Sequence, residues 1–339
     1  MGSFLKRHRW AAPLALLAPG LLWLGIFYVY PALQMLIASF WSGSLEKGFV
    51  FSLGNWVNYP EALGQFAPFY LRSIVFAGAA TMLTFLIAYP LAYAIAFKAG
   101  RYRSLLLFLV VAPFFTSFLL RTISWKVILG DAGPLLGPLK DVGLLPDEFR
   151  LLATPLAVIA GITYNFLPFM TLPVYVALEK VDGRLVEAAK DLYAGPWRPG
   201  GAFVGGGVGA VLLGVLGLVF EADWPLFALV GAVGGALIAW LFISEAFIRV
   251  TFPLSLPGVF AGGLLTFIPA IGDYINAELL GNPNTNMIGN VIQNKFLTQN
   301  DYPTAAALSF ILMAGVLVVV TVYARVLGTE ELSSAAARV

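Results

Sequence analysis

The chain has 339 residues, of which 60% are hydrophobic and 11% charged, with a formal net charge of +2. A soluble domain carries about 25% charged residues, so this chain cannot cover itself with a polar surface and reads as a polytopic integral membrane protein. There is no Cys for disulfide or thiol chemistry. The single His, His8, excludes His-clustered metal sites and Ser-His pairs, and so small a net charge does not suggest nucleic acid.

The apolar runs are continuous rather than alternating, which predicts helices and not barrel strands. A span needs about 20 apolar residues to cross about 30 Å. Eight stretches qualify: 11–40, 71–97, 105–128, 155–178, 201–220, 225–243, 252–275 and 304–327. The expected fold class is all-α, a polytopic membrane helical bundle. The first stretch follows Lys6-Arg7-His8-Arg9 but is too long for a signal peptide and lacks a small-residue cleavage site, so it reads as an uncleaved span. Thirteen of the 20 Lys/Arg residues fall on the N-terminal side of the membrane, which predicts cytoplasmic N- and C-termini. Eleven of the 18 acidic residues fall on the other side. That suits a cationic ligand and follows equally from outer loops poor in Lys and Arg.

Several ionisable and polar residues lie in or beside the spans, where they are costly. Arg121 falls within the third span and could repel cations, pair with a carboxylate such as Asp273, or snorkel to the outer interface. Trp125 reads as a belt residue or a cation–π partner for a ligand. Asn165, Asn276 and Thr116 would line a polar path or bond between helices. Asp273 is the best ligand candidate, with Tyr274 beside it; Pro269 and Gly272 would break the helix there and free carbonyls toward a cavity. An outward interfacial position for Asp273 is the competing reading.

Some chemistry is absent. No Gly-Lys dipeptide occurs, so the chain has no P-loop of its own. The Gly-rich run Gly205-Gly206-Gly207-Val208-Gly209 lies in an apolar helix, where Gly201, Gly205 and Gly209 form a packing face and not a nucleotide loop.

The most informative loop is Leu185-Val-Glu-Ala-Ala-Lys-Asp-Leu-Tyr-Ala-Gly-Pro-Trp-Arg198. Its residues predict a short polar helix whose Ala-Ala step lets another protein approach; a solvated amphipathic linker would look the same. Glu-Ala-Ala-x-Asp-Leu-x-Ala, with Phe252-Pro-Leu-Ser-Leu-Pro-Gly258 further on, resembles the coupling-loop motif of binding-protein-dependent ABC importer permeases. Tyr193 stands where that motif usually has Gly. The resemblance narrows to the spermidine/putrescine permeases through Pro113-Phe-Phe-Thr-Ser-Phe-Leu-Leu-Arg121, Leu167-Pro-Phe-Met-Thr-Leu-Pro173, Ile268-Pro-Ala-Ile-Gly-Asp-Tyr274 and Met287-Ile-Gly-Asn-Val-Ile292. It implies a permease subunit that is not itself an enzyme and holds no cofactor, with ATP and Mg on a partner ATPase. It also implies a second permease subunit, two ATP-binding subunits, an external substrate-binding protein and a bacterial inner-membrane location. Glu187, Ala188, Ala189, Asp191, Leu192 and Ala194 would then dock the ATPase. Related permeases carry ferric ion, sulfate or other small solutes, and a self-contained secondary transporter is a more distant alternative.

Such permeases usually have six spans here. The extra pair lies within the coupling loop, and joining Arg198 to Ala246 restores a continuous family-like loop. The expected organisation is therefore a permease domain, 1–198 and 246–339, with an inserted transmembrane hairpin, 199–245.

Overall fold

The computed structural model describes residues 11–192 and 247–336. The stretches 201–220 and 225–243, and the whole hairpin 199–245, lie outside the described residues. Five described helices are long and apolar enough to cross a membrane, and a bent pair makes a sixth if the two are taken as one span. These six correspond to the six expected core spans, with corrections at their ends and one within.

The described chain forms two units, one of residues up to 67 and from 291 on, the other of 68–290. In the first unit, α1 (Ala11–Leu24) and α2 (Tyr30–Ala38) are joined through a π turn, Gly25–Val29. Pro31 has no N–H to offer the Phe27 carbonyl. The helix absorbs the gap by sending the Tyr30 N–H to the Gly25 carbonyl, five residues back. A hairpin follows, β1 (Trp41–Ser44) paired antiparallel with β2 (Gly48–Phe51). Gly43 sits at φ 119°, and a Cβ there would lie 2.1 Å from the Gly48 carbonyl oxygen, so only glycine fits. Phe49 bridges the hairpin to the last helix, stacking on Trp41 at 5.4 Å and meeting Tyr302 at 5.5 Å. That last helix, named α12 below, spans Tyr302–Ala336.

Helix α3 (Asn58–Phe97) runs for 40 residues. It starts thirteen residues before the expected 71, because its polar first turns add helix without adding hydropathy. The third span departs more from expectation. In place of one helix over 105–128 there are α4 (Arg103–Val111), a 3₁₀ turn (Ala112–Phe115) and α5 (Phe118–Ile128), bent by 96°. Pro113 lacks an N–H, and Thr116 and Ser117 turn extended, with ψ of 152° and 138°. The Thr116 hydroxyl donates to the Pro113 carbonyl at 2.6 Å and so caps the break.

The remaining elements are α6 (Leu136–Asp141), α7 (Pro155–Glu179), α8 (Gly183–Leu192), a π turn (Phe247–Thr251), α9 (Phe252–Ile271), α10 (Ile275–Leu280), a 3₁₀ turn (Pro283–Thr285), α11 (Ile288–Gln293), a π turn (Asn294–Thr298) and α12. The span expected over 252–275 ends four residues early, with Gly272 as its cap. The second unit is built on α7 against α9. Gly258, Gly262, Thr266 and Ala270 recur every fourth residue on α9 and are all buried. A Cβ on Gly258 would stand 2.5 Å from the Pro173 carbonyl oxygen, and one on Gly262 would stand 3.1 Å from that of Met170. The backbones therefore approach through glycine, as small-residue faces allow in lipid. The neighbouring core joins Ala88, Tyr89, Ala92 and Ile95 of α3 to Met170, Val174, Tyr175 and Leu178 of α7. Tyr89 meets its polar need through a 2.7 Å hydrogen bond with Ser255.

This packing gives a direct test. Gly262→Leu forces α9 off α7, and overpacking of this kind costs about 1–3 kcal/mol. The expected result is a lower unfolding temperature in detergent than for Leu265→Ala, because Leu265 is half exposed on the same helix. Equal temperatures for the two variants would contradict the close approach.

Candidate translocation cleft and coupling helix

The cleft forms where α9 stops. Asp273 follows the Gly272 cap, and its N–H closes on the Ala270 carbonyl at 3.2 Å. Its carboxylate accepts from the Asn276 backbone N–H at 3.1 Å and from the Asn276 side-chain amide. Asp273 thus holds the start of α10, as a carboxylate does at a helix N-terminus. It is buried, only 7% exposed.

From Asn276 the polar contacts continue inward. Asn276 Oδ1 accepts from the Asn165 amide at 3.1 Å and from the Thr122 hydroxyl at 3.3 Å, and Asn165 also donates to Thr122 at 3.1 Å. Residues from α5, α7 and α10 are therefore tied at one buried node. Each such bond between membrane helices contributes roughly 0.6–2 kcal/mol. Of the two uses expected for Asn165 and Asn276, they serve the interhelical one. Gly161 makes room, since a Cβ there would stand 2.7 Å from Asn276 Oδ1. A second support comes from α11: Asn290 donates to the Tyr274 carbonyl at 2.9 Å, and Gly289 lies against the Gly272 carbonyl.

Phe118, Phe166, Pro269, Gly272, Asp273, Tyr274 and Ile275 line an open cavity of about 260 Å³. The lining includes one carboxylate and three aromatic rings. That combination suits a slender organic cation, which needs a counter-charge and π faces. Asp273 and Tyr274 lie on this wall, and Tyr274 is 39% exposed. Trp125 does not line it; its ring stands edge-on to Tyr164 at 5.4 Å. Asn165 lies behind the wall, and Thr116 is exposed at the break.

Among the described ion pairs Arg121 makes none, with Asp273 or with any other carboxylate. The bend puts it one turn into α5, 9% exposed, with its guanidinium over Phe114 at 4.9 Å and Phe118 at 5.6 Å. Among the described residues its Nε and Nη1 have no hydrogen-bond partner. Phe118 thus carries Arg121 on its ring and also lines the cavity. Neither Phe118, Phe166 nor Thr122 was singled out from sequence, although Phe118 and Thr122 share one helical face with Trp125.

The expected polar helix is present as α8. Asp182 starts it, accepting from the Arg184 N–H at 2.9 Å. Val186 is buried, whereas Leu185, Glu187, Ala188 and Asp191 are exposed, so one face holds the bundle and the other is free. Ala189 and Leu192 lie within α8, and Ala194 lies outside the described residues.

Apolar helices of spanning length, and in the second unit a cleft with one acid and three rings, suit a polytopic membrane protein of transport type. The pattern of the binding-protein-dependent transport system inner membrane component matches residues 244–327. The spermidine/putrescine transport system permease protein PotB of Haemophilus influenzae is 35% identical over 305 residues, covering 89% of this chain and 90% of that protein. PotB of Escherichia coli is 32% identical over 293 residues, covering 86% of this chain and 88% of its own. A crystal structure of a bacterial ABC transporter involved in importing the acidic polysaccharide alginate superposes with a TM-score of 0.60 at 17% identity, covering 96% of each chain, which establishes the fold. The chain belongs to the binding-protein-dependent transport system inner membrane components, in the spermidine/putrescine permease family. It is a multi-pass component of the inner membrane.

Proposed function

We propose that this chain is the permease subunit through which an ATP-driven importer takes up polyamines, spermidine or putrescine. The similarity to PotB over 89% of the chain carries this reading. The cleft supports it independently, because Asp273 and the rings of Phe118, Phe166 and Tyr274 offer an alkylammonium a counter-charge and aromatic faces. Arg121 marks the edge of the pathway and keeps a positive charge behind Phe118. Trp125 and Asn165 support the wall through Tyr164 and the Thr122–Asn276 node.

Transport in this reading is alternating access driven from outside the chain. ATP and Mg bind a partner ATPase, which docks on Glu187, Ala188, Ala189, Asp191, Leu192 and Ala194. The complex comprises a second permease chain, two ATP-binding subunits and an external substrate-binding protein. Both termini of the permease face the cytoplasm, consistent with its Lys/Arg distribution. Co-purification from membranes tests the assembly: a tagged chain should retain an ATP-binding subunit and a second permease, and isolation of the chain alone would contradict it.

The 199–245 segment is proposed as a peripheral transmembrane hairpin within the coupling loop. Its apolar runs carry no charge, unlike helices that line a polar path. Deleting 199–245 and joining Arg198 to Ala246 should leave uptake near normal. A severe loss of uptake, or raised ATP hydrolysis without cargo, would contradict a peripheral role.

A further inference from the structure

The coupling helix and the cleft lie on different elements, and one polar cluster joins them. Arg103 is the first residue of α4, and Glu179 is the last of α7. Arg103 Nη2 forms an ion pair with Glu179 Oε1. Its Nε donates to the Tyr175 hydroxyl, and its guanidinium lies over the Tyr175 ring at 4.9 Å from the centroid. Tyr175 belongs to the core of α3 and α7, against which Leu106, Leu107 and Val110 of α4 also pack. One side chain is therefore held by charge, by a hydrogen bond and by a ring face, which fixes its direction as well as its distance.

Position gives this cluster its meaning. Only residues 180–182 separate Glu179 from α8. They form a tight turn, with the Lys180 and Val181 N–H groups on the Ala177 and Leu178 carbonyls at 3.3 and 3.1 Å. A displacement of α8 is thus delivered to Glu179 through a short, hydrogen-bonded link. From Arg103, α4 runs to the break at Thr116 and Ser117, beyond which α5 carries Phe118 on the cleft wall and Thr122 in the Asn165–Asn276 node. The apolar contacts of α4 permit sliding, whereas a guanidinium on a carboxylate and a hydroxyl sets register. The other ion pairs described, Asp131 with Lys140 and Arg150 and Lys295 with Asp301, stay local in sequence.

We propose that Arg103 and Glu179 are a positioning pair that transmits movement of the coupling helix into the broken span walling the cleft. Neither residue is among those lining the cleft. A half-exposed ion pair contributes little to stability, so its removal leaves the fold standing and exposes the coupling role. The inference rests on reading α8 as the ATPase-docking helix.

The experiment uses the complete complex in proteoliposomes, with labelled spermidine uptake and ATP hydrolysis measured on the same sample. Glu179→Gln should retain the ATPase and keep hydrolysis near the unmodified level, while spermidine taken up per ATP falls at least about fivefold, the lower range of coupling between sites. The exchange Arg103→Glu with Glu179→Arg restores opposite charges and leaves Tyr175 a carboxylate to donate to, so it should recover most of that ratio. An unchanged ratio in Glu179→Gln overturns the inference. So does a parallel fall in uptake and hydrolysis that the exchange does not restore, which marks a purely structural pair. Failure of the α8 reading appears separately, as unaltered ATPase association in Glu187→Arg.

Discussion

Glu187→Arg should lower both ATPase association and cargo uptake at least about tenfold while leaving membrane insertion intact. The residue is exposed on α8, so the change removes no packing in the bundle. Asp182 still starts the helix and Val186 still anchors its buried face. What changes is the sign of a charge on the face proposed to meet the ATPase. Like charges brought together at an interface cost several kcal/mol, and about 1.4 kcal/mol is already tenfold. ATPase yield on co-purification and cargo-stimulated hydrolysis both read the effect. Unchanged stimulated hydrolysis in the reconstituted complex would contradict docking at this face.

The second large effect is expected at Asp273. Asp273→Asn keeps an oxygen that can accept from the Asn276 N–H, so α10 retains its start. It removes the negative charge from the cleft together with the second acceptor oxygen, the one that takes the Asn276 side-chain amide. A hydrogen bond to a charged group contributes about 1.5–3 kcal/mol, so polyamine uptake should fall by at least tenfold. Asp273→Ala should fall further and also lower the unfolding temperature, because Asn276 then loses both acceptor oxygens. Wild-type uptake in Asp273→Asn, with the protein folded, would remove this carboxylate from the pathway.

The six core spans were legible because apolar runs of that length have no other stable use. The break in the third was not. Pro113 sits inside an apolar run, and proline is tolerated in spans; the extended Thr116 and Ser117 that bend the chain by 96° leave no trace in hydropathy. At α9 the outcome was better, since Pro269 and Gly272 together signalled a stop and Gly272 is the cap. The same helix hid its packing face. Gly258 closes the Phe252–Gly258 motif, and its repeat with Gly262, Thr266 and Ala270 becomes meaningful only against α7.

The cleft was legible by residue type and not by partner. A carboxylate within an apolar stretch flagged Asp273, and Tyr274 came with it. Nothing local joined Asn276 to Asn165, 111 positions earlier, or either to Thr122. Arg121 shows the same limit. Its charge was conspicuous, but its stacking on Phe114 and Phe118 depends on the bend.

Uptake by proteoliposomes holding this chain, its second permease, the ATPase and the external binding protein tests the proposed function most directly. Labelled spermidine or putrescine should accumulate only with ATP inside the compartment of the ATPase and the binding protein on the other side. Accumulation of ferric ion or an anion under those conditions, with neither polyamine taken up, would contradict it.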